Sequence, residues 1–324
     1  MIRNDSRSGS RSAFTLVELL VVVLIIAILV SLIGSAVLKA MQKIPEVQTR
    51  TEIAEMSVAL QAFMSDYNLT EPPPSLLYLN EYTPLSTPQD NGRSAAFLQK
   101  VFGKNLGVGQ VFVDWNGDGV ASGPSGGMPW VLQGEQCLTF YLGGIPNVLQ
   151  MKTGAPPAPL GFSTNNTNPA MASAKRKGPY FNFVTPRLFP QTGVISASWN
   201  GFFVYLDPWQ SKAGPLYATM GGSPYAFFSS GGINNGYALT SAFNAAPYAI
   251  RSGVSPYALT GQFTNPNTFQ IISAGKDGVF GNTGWVPTAG MPPVPFSNAN
   301  AANQPAGDDD QANFSGGLLG AGQQ

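Results

Sequence analysis

The chain has 324 residues with 17 Lys and Arg against 17 Asp and Glu, and only 10% of its residues are charged. Soluble domains usually carry about a quarter charged residues, and nucleic-acid binding needs a concentrated basic face, so this balance speaks against a nucleic-acid partner. The absence of histidine and the single cysteine, Cys137, remove His-based general-base and zinc chemistry and any intrachain disulfide, and point away from an enzyme.

Residues 1–13 are polar, with Arg3, Arg7 and Arg11 against Asp5. From Phe14 to Leu38 the chain is almost wholly apolar. At about 1.5 Å per residue such a run is long enough to cross a hydrocarbon core of about 30 Å. Glu18 interrupts it. A carboxylate costs about 2.5–3.5 kcal/mol at a membrane-helix centre, and less near the interface. It therefore calls for a partner. Three readings stay open on the residues alone: a signal-anchor helix with Glu18 near the interface, a secretory signal cut beside Gly34 and Ala36, or a leader cut ahead of Phe14. Lys39, Lys43 and Arg50 follow the run, so basic residues give its orientation little bias.

Ile44, Val47, Ile53, Met56, Leu60, Phe63 and Met64 then recur at helical spacing, with polar residues between them. This pattern predicts an amphipathic helix to Asp66 or Tyr67, kinked near Pro45 and ended by the proline run at 72–74. The 37 glycines and 27 prolines of the chain, nearly all of them beyond Asn68, predict a loop-rich, β-leaning body there. Candidate strands are Gln110–Val113, Leu138–Leu142, Gly201–Tyr205, Ser223–Ser229 and Phe269–Ser273, and Ser94–Phe102 reads as a second helix. Stretches 152–170 and 286–306 read as surface excursions.

One motif carries chemistry by its spacing. Asp114-Trp115-Asn116-Gly117-Asp118-Gly119 has the D-x-N-x-D-G spacing of the first half of an EF-hand loop, which points to calcium on Asp114, Asn116 and Asp118. The twelfth place is Ser125 rather than Glu, and an Asn/Asp/Gly-rich turn is the alternative. Cys137 sits in an apolar run and reads as a buried small hydrophobe. The sequons at Asn68, Asn165 and Asn313 read as chance in an Asn-rich chain.

The string Ser12-Ala13-Phe14-Thr15-Leu16-Val17-Glu18-Leu19-Leu20-Val21-Val22 resembles the prepilin N-methylation motif of type IV pilins and type II secretion pseudopilins. The resemblance implies cleavage by prepilin peptidase between Ala13, where the family usually has Gly, and Phe14. The new Phe14 amine is then methylated. Glu18 becomes the fifth mature residue, and assembly rests on Phe14 and Glu18, the carboxylate meeting the amine of a neighbouring copy.

The family's architecture implies an α+β, pilin-like fold, a long N-terminal helix packed on an antiparallel β-sheet head with long loops. The chain then divides into a leader (1–13), a membrane and filament-core helix (14–38), its amphipathic continuation (39–67) and a β-rich head (68–324). Implied partners are other copies, minor pseudopilins, prepilin peptidase, the inner-membrane assembly platform and the membrane itself. The implied location is the bacterial inner membrane, single-pass, with the head extracytoplasmic. The alternative reading is a membrane-anchored surface-binding or adhesion domain.

Further along, Leu206-Asp207-Pro208-Trp209 with Pro224-Tyr225-Ala226-Phe227, then Ile271-Ile272-Ser273-Ala274-Gly275-Lys276-Asp277-Gly278, then Gly307-Asp308-Asp309-Asp310 with Asn313-Phe314, resemble in order the phrases of the major, G-type pseudopilins. That resemblance implies calcium in the C-terminal loop on Asp277, Asp308 and Asp309, with Asp310 a lesser candidate. A solvated acidic tail is the alternative.

Overall fold

The computed structural model describes residues 15–109, 112–120, 129–147, 158–172, 175–192, 199–209, 222–234, 236–237, 256–259, 262–278, 280, 309–316 and 319. The chain divides into two compact units, Met1–Pro45 and Glu46–Gln324. Helix α1 spans Leu16–Asp66 with Pro45 inside it, and stops where the sequence predicts.

In the first unit, every large apolar side chain described between Leu16 and Val37 is exposed. Among the described residues no helix is long and apolar enough to cross a membrane. The span over 14–38 therefore stays a reading of the sequence.

In the second unit the inward stripe of α1, Ile53, Met56, Leu60 and Phe63, is buried. The three- and four-residue spacing puts these side chains on one face, as the amphipathic pattern requires. Phe63 lies in an aromatic core, with ring centroids 5.4 Å from Tyr141 and 5.7 Å from Tyr180. Strand β1 (Leu76–Leu79) pairs antiparallel with β2 (Trp130–Gln133). Helix α2 (Arg93–Phe102) buries Leu98, Val101 and Phe102. Helix α3 (Gly134–Gly143) follows β2 directly, with nearly every residue buried.

The remaining strands are also antiparallel. β3 (Phe162–Ser163) pairs with β4 (Arg176–Lys177), and β5 (Leu188–Thr192) with β6 (Trp199–Tyr205). β7 (Ala226–Ser229), β8 (Ala258–Leu259), β9 (Gln262–Phe263), β10 (Phe269–Ser273) and β11 (Gln311–Ala312) form a two-stranded β8-β9 ribbon and a three-stranded sheet in the order β11-β10-β7. The class is α+β, built from small separate sheets.

The structure corrects several expectations. Leu138–Leu142 lies inside α3, a helix rather than a strand. A helix apolar on all sides is a buried helix, and a short apolar run does not distinguish the two by period. Gly134 explains the close seating of α3, because a Cβ there would collide with the Phe227 carbonyl oxygen. Val113 belongs to no strand, its amide donating to the Glu81 carbonyl at 2.8 Å, and Gln110 and Val111 lie outside the described residues. Within 152–170, Phe162 is fully buried in the core rather than on a surface excursion. Residues 286–306 lie outside the described residues. The strands read at 201–205, 223–229 and 269–273 correspond to β6, β7 with its lead-in, and β10.

Candidate functional site

At the start of α1, Thr15 and Glu18 cap the helix reciprocally. The Thr15 amide and hydroxyl both donate to the Glu18 carboxylate at 2.9 Å, and the Glu18 amide donates to Thr15 Oγ1 at 3.2 Å. This is a capping box, which satisfies orphan amides of the first turn. Glu18 thus has a partner within its own chain. The T-x-x-E spacing ahead of an apolar run is the signal for it, so Thr15 joins the candidate site. Ala13 and Phe14 lie outside the described residues.

In the second unit the three phrases read from the later sequence meet. A bridge joins Leu206 to Pro224, and the Asp207 amide donates to the Ser223 carbonyl at 2.9 Å. Asp207 is fully buried, and its carboxylate accepts the Ser273 hydroxyl at 2.8 Å. Burial pushes the Asp207 carboxyl up to about 7, against the downward pull of hydrogen bonds from Ser273 and the Trp209 amide and of the Arg187 charge.

After β10 the chain turns over residues 275–278, and the Asp277 amide donates to Asp309 Oδ2 at 2.8 Å. Gly275, at φ 65°, has no room for a Cβ against the Asp309 carbonyl. Asp277 and Asp309 are therefore brought to one turn. Asp310 turns away from it, its buried carboxylate accepting the Tyr257 hydroxyl. Asp308 lies outside the described residues.

The 114–119 loop is tied to itself. Asp114 accepts the amides of Asp118 at 3.1 Å and Gly119 at 2.8 Å, and Asp118 accepts the amide of Val120 at 2.8 Å. Asn116 is buried and donates to Asp118 at 3.1 Å. Burial pushes the Asp114 carboxyl above its usual range despite these amides. Gly117, at φ 71°, meets the Pro146 carbonyl where a Cβ would stand. These contacts hold the loop in a turn fastened by its own side chains. Ser125 lies outside the described residues. Among the described residues no group of three or more acidic or cysteine side chains gathers as a metal cluster.

A further polar centre holds α1 in the core of the second unit. Arg187, buried, donates to both oxygens of Glu52, to the Tyr205 hydroxyl and, at 3.1 Å, to the Leu206 carbonyl. The Tyr225 hydroxyl donates to Glu52 at 2.8 Å. Burial pushes the Tyr205 hydroxyl up to about 12, with Glu52 adding to the rise. Sequence reasoning had one clue to this centre: Glu52 adjoins the inward stripe of α1. Cys137 is buried, its thiol 3.4 Å from the Leu132 carbonyl it donates to.

Residues 9–34 match the family profile of the prokaryotic N-terminal methylation motif. No curated protein and no solved structure matches the chain.

Proposed function

We propose that this chain is a type IV pilin-like protein and serves as a structural, non-enzymatic subunit of a type II secretion pseudopilus or a closely related type IV filament. The motif implies cleavage by prepilin peptidase, a membrane-anchored N-terminus and assembly with pilin-like subunits. In the proposed pathway the leader stays cytoplasmic, α1 crosses the bacterial inner membrane once, and the head is extracytoplasmic. Minor pseudopilins and the inner-membrane assembly platform are the proposed partners. The meeting of the 206–209, 223–229, 271–278 and 309–314 segments supports the pseudopilin reading over other filament subunits.

One observation carries the proposal: an acid at the fifth position past the expected cut, inside an otherwise apolar helix. The Thr15–Glu18 cap supplies the carboxylate with donors in the single chain. In a filament the Phe14 amine of a neighbour adds a positive charge, and pairing in a low-dielectric core offsets the desolvation each ion suffers alone. A subunit one step out of register leaves both ions unpaired. Sequencing the N-terminus of the membrane-recovered protein tests the cleavage, with Phe14 expected. Glu18→Gln should insert normally and fail to assemble. Normal filaments from that variant would refute the pairing.

Calcium belongs to the same proposal, held by Asp277 and Asp309 with nearby carbonyls. The turn that already joins these two residues supports it.

A further inference from the structure

Three Asn-x-Ser/Thr triplets, the acceptor pattern for N-linked glycans, stand at Asn68, Asn165 and Asn313, and the structure separates them. Asn165 Oδ1 accepts both the amide and the hydroxyl of Thr167, at 2.9 and 2.8 Å, so the two side chains a transferase must read are engaged with each other. Asn313 is pinned to β10, its Oδ1 accepting the Ile271 amide at 3.0 Å and its Nδ2 donating to the Phe269 carbonyl at 3.2 Å. Asn68 and Thr70 are both exposed, and neither side chain makes a hydrogen bond among the described residues.

The end of α1 holds Asn68 outward. It closes in a Schellman motif, the Leu69 amide donating to the Met64 carbonyl at 2.8 Å and the Asn68 amide to the Ser65 carbonyl at 3.1 Å. Asn68 takes φ 51°, while Leu69 turns into the core. The left-handed φ accounts for a glycine or an asparagine at this place. It does not account for a hydroxyl two residues on, and neither does packing, since Thr70 is exposed. Asp66, also exposed, stands two residues before Asn68, where the other triplets have Ser163 and Gln311. One of its oxygens accepts the Tyr180 hydroxyl at 3.0 Å, and its charge offers a cationic transferase subsite a carboxylate beside the acceptor.

We propose that Asn68 is the acceptor of an N-linked oligosaccharide, attached by a membrane transferase from a lipid-linked donor once the head has crossed the membrane. In that step Asn68 Nδ2 bonds to the anomeric carbon of the first sugar. The bond from that carbon to the donor's diphosphate breaks, its electron pair leaving with the diphosphate, and the displaced amide proton passes to a base of the transferase. An amide nitrogen is a weak nucleophile while its lone pair is conjugated with the carbonyl, so the side chain has to turn in the transferase site. Asn68 is at liberty to do so, whereas Asn165 and Asn313 would first have to break their hydrogen bonds. The inference rests on the extracytoplasmic head of the proposed function. In a chain with only 10% charged residues, a surface sugar supplies solvation that charge does not.

The test takes the full-length chain from the membranes of its own host, as wild type, Asn68→Gly and Thr70→Val, and reads the tryptic peptide of residues 51–93 by electron-transfer mass spectrometry. Wild type should carry one or more sugar residues on Asn68, and both variants should carry none. Asn68→Gly keeps the left-handed turn and Thr70→Val keeps the asparagine, so loss in both assigns the sugar to the acceptor pattern rather than to a folding defect. A bare wild-type peptide, or sugar on Asn68 that survives Thr70→Val, overturns the proposal. Protease added to intact spheroplasts separates the two readings. A bare peptide from a head digested from outside refutes the glycan alone, whereas a head protected from the protease refutes the extracytoplasmic placement together with it.

Discussion

Asp207 should make the head less stable as pH rises, and replacing it with asparagine should remove that dependence. The carboxyl is fully buried and accepts the Ser273 hydroxyl at 2.8 Å. Burial raises its pKa from 3.8 to about 7, the Glu52 charge adding to the rise and Arg187 opposing it. The folded chain therefore keeps a proton that the unfolded chain has already released. This group's contribution to stability is complete below 3.8 and is lost as pH climbs through about 7. At about 1.4 kcal/mol per pH unit, the interval is worth about 4 kcal/mol. For a domain of this size that corresponds to roughly 8–16 °C in Tm between pH 4 and pH 8. The assay is thermal unfolding of the detergent-solubilised chain, followed by near-UV circular dichroism, for wild type and Asp207→Asn across that range. The difference between the two proteins isolates Asp207 from every other titrating group. Asp207→Asn should close the gap on wild type, or overtake it, toward pH 8. Parallel pH profiles, or a wild type that gains on the variant as pH rises, would show that the buried carboxyl is ionised throughout.

Three other outcomes follow from the same structure. Arg187→Met should cost about 3–5 kcal/mol in urea unfolding by leaving Glu52 charged and buried, and adding Glu52→Gln should recover part of that loss; strictly additive effects would mean the two residues act independently. Gly134→Ala should cost about 1–3 kcal/mol or more because its methyl meets the Phe227 carbonyl, whereas Gly109→Ala, with open space around it, should cost only about the 1 kcal/mol of its positive φ; equal losses would deny the close approach. Calcium at 100 times its Kd should raise stability by about 2.7 kcal/mol and Asp309→Asn should abolish the rise; an unchanged Tm at millimolar calcium would remove the metal from the proposed function.

Helix α1 was legible because its inward residues repeat every three or four positions over a long window and a proline run marks its end. The strands β6, β7 and β10 were legible because each is a short aromatic or β-branched run between turn residues. The β1–β2 pair was not, since Leu76–Leu79 and Trp130–Gln133 are buried on every residue and show no alternation. The same loss of period concealed α3, whose residues are buried on nearly every side, Gln136 and Thr139 among them, so that no single stripe can be counted.

The two glutamates of α1 show where local reading ends. Glu18 and Glu52 both stand in or beside apolar positions, and each needs a partner for the same electrostatic reason. For Glu18 the partner is three residues back, so the T-x-x-E spacing contains the answer. For Glu52 it is Arg187, 135 residues along, reached only after β5 and β6 have brought that arginine over the helix. Nothing in the residues around Arg187 distinguishes it from other cations of the chain, because its selection comes from strand register and from the Tyr205 ring 4.5 Å beneath it. A buried charge in a sequence thus announces that a partner exists, while the fold decides which one.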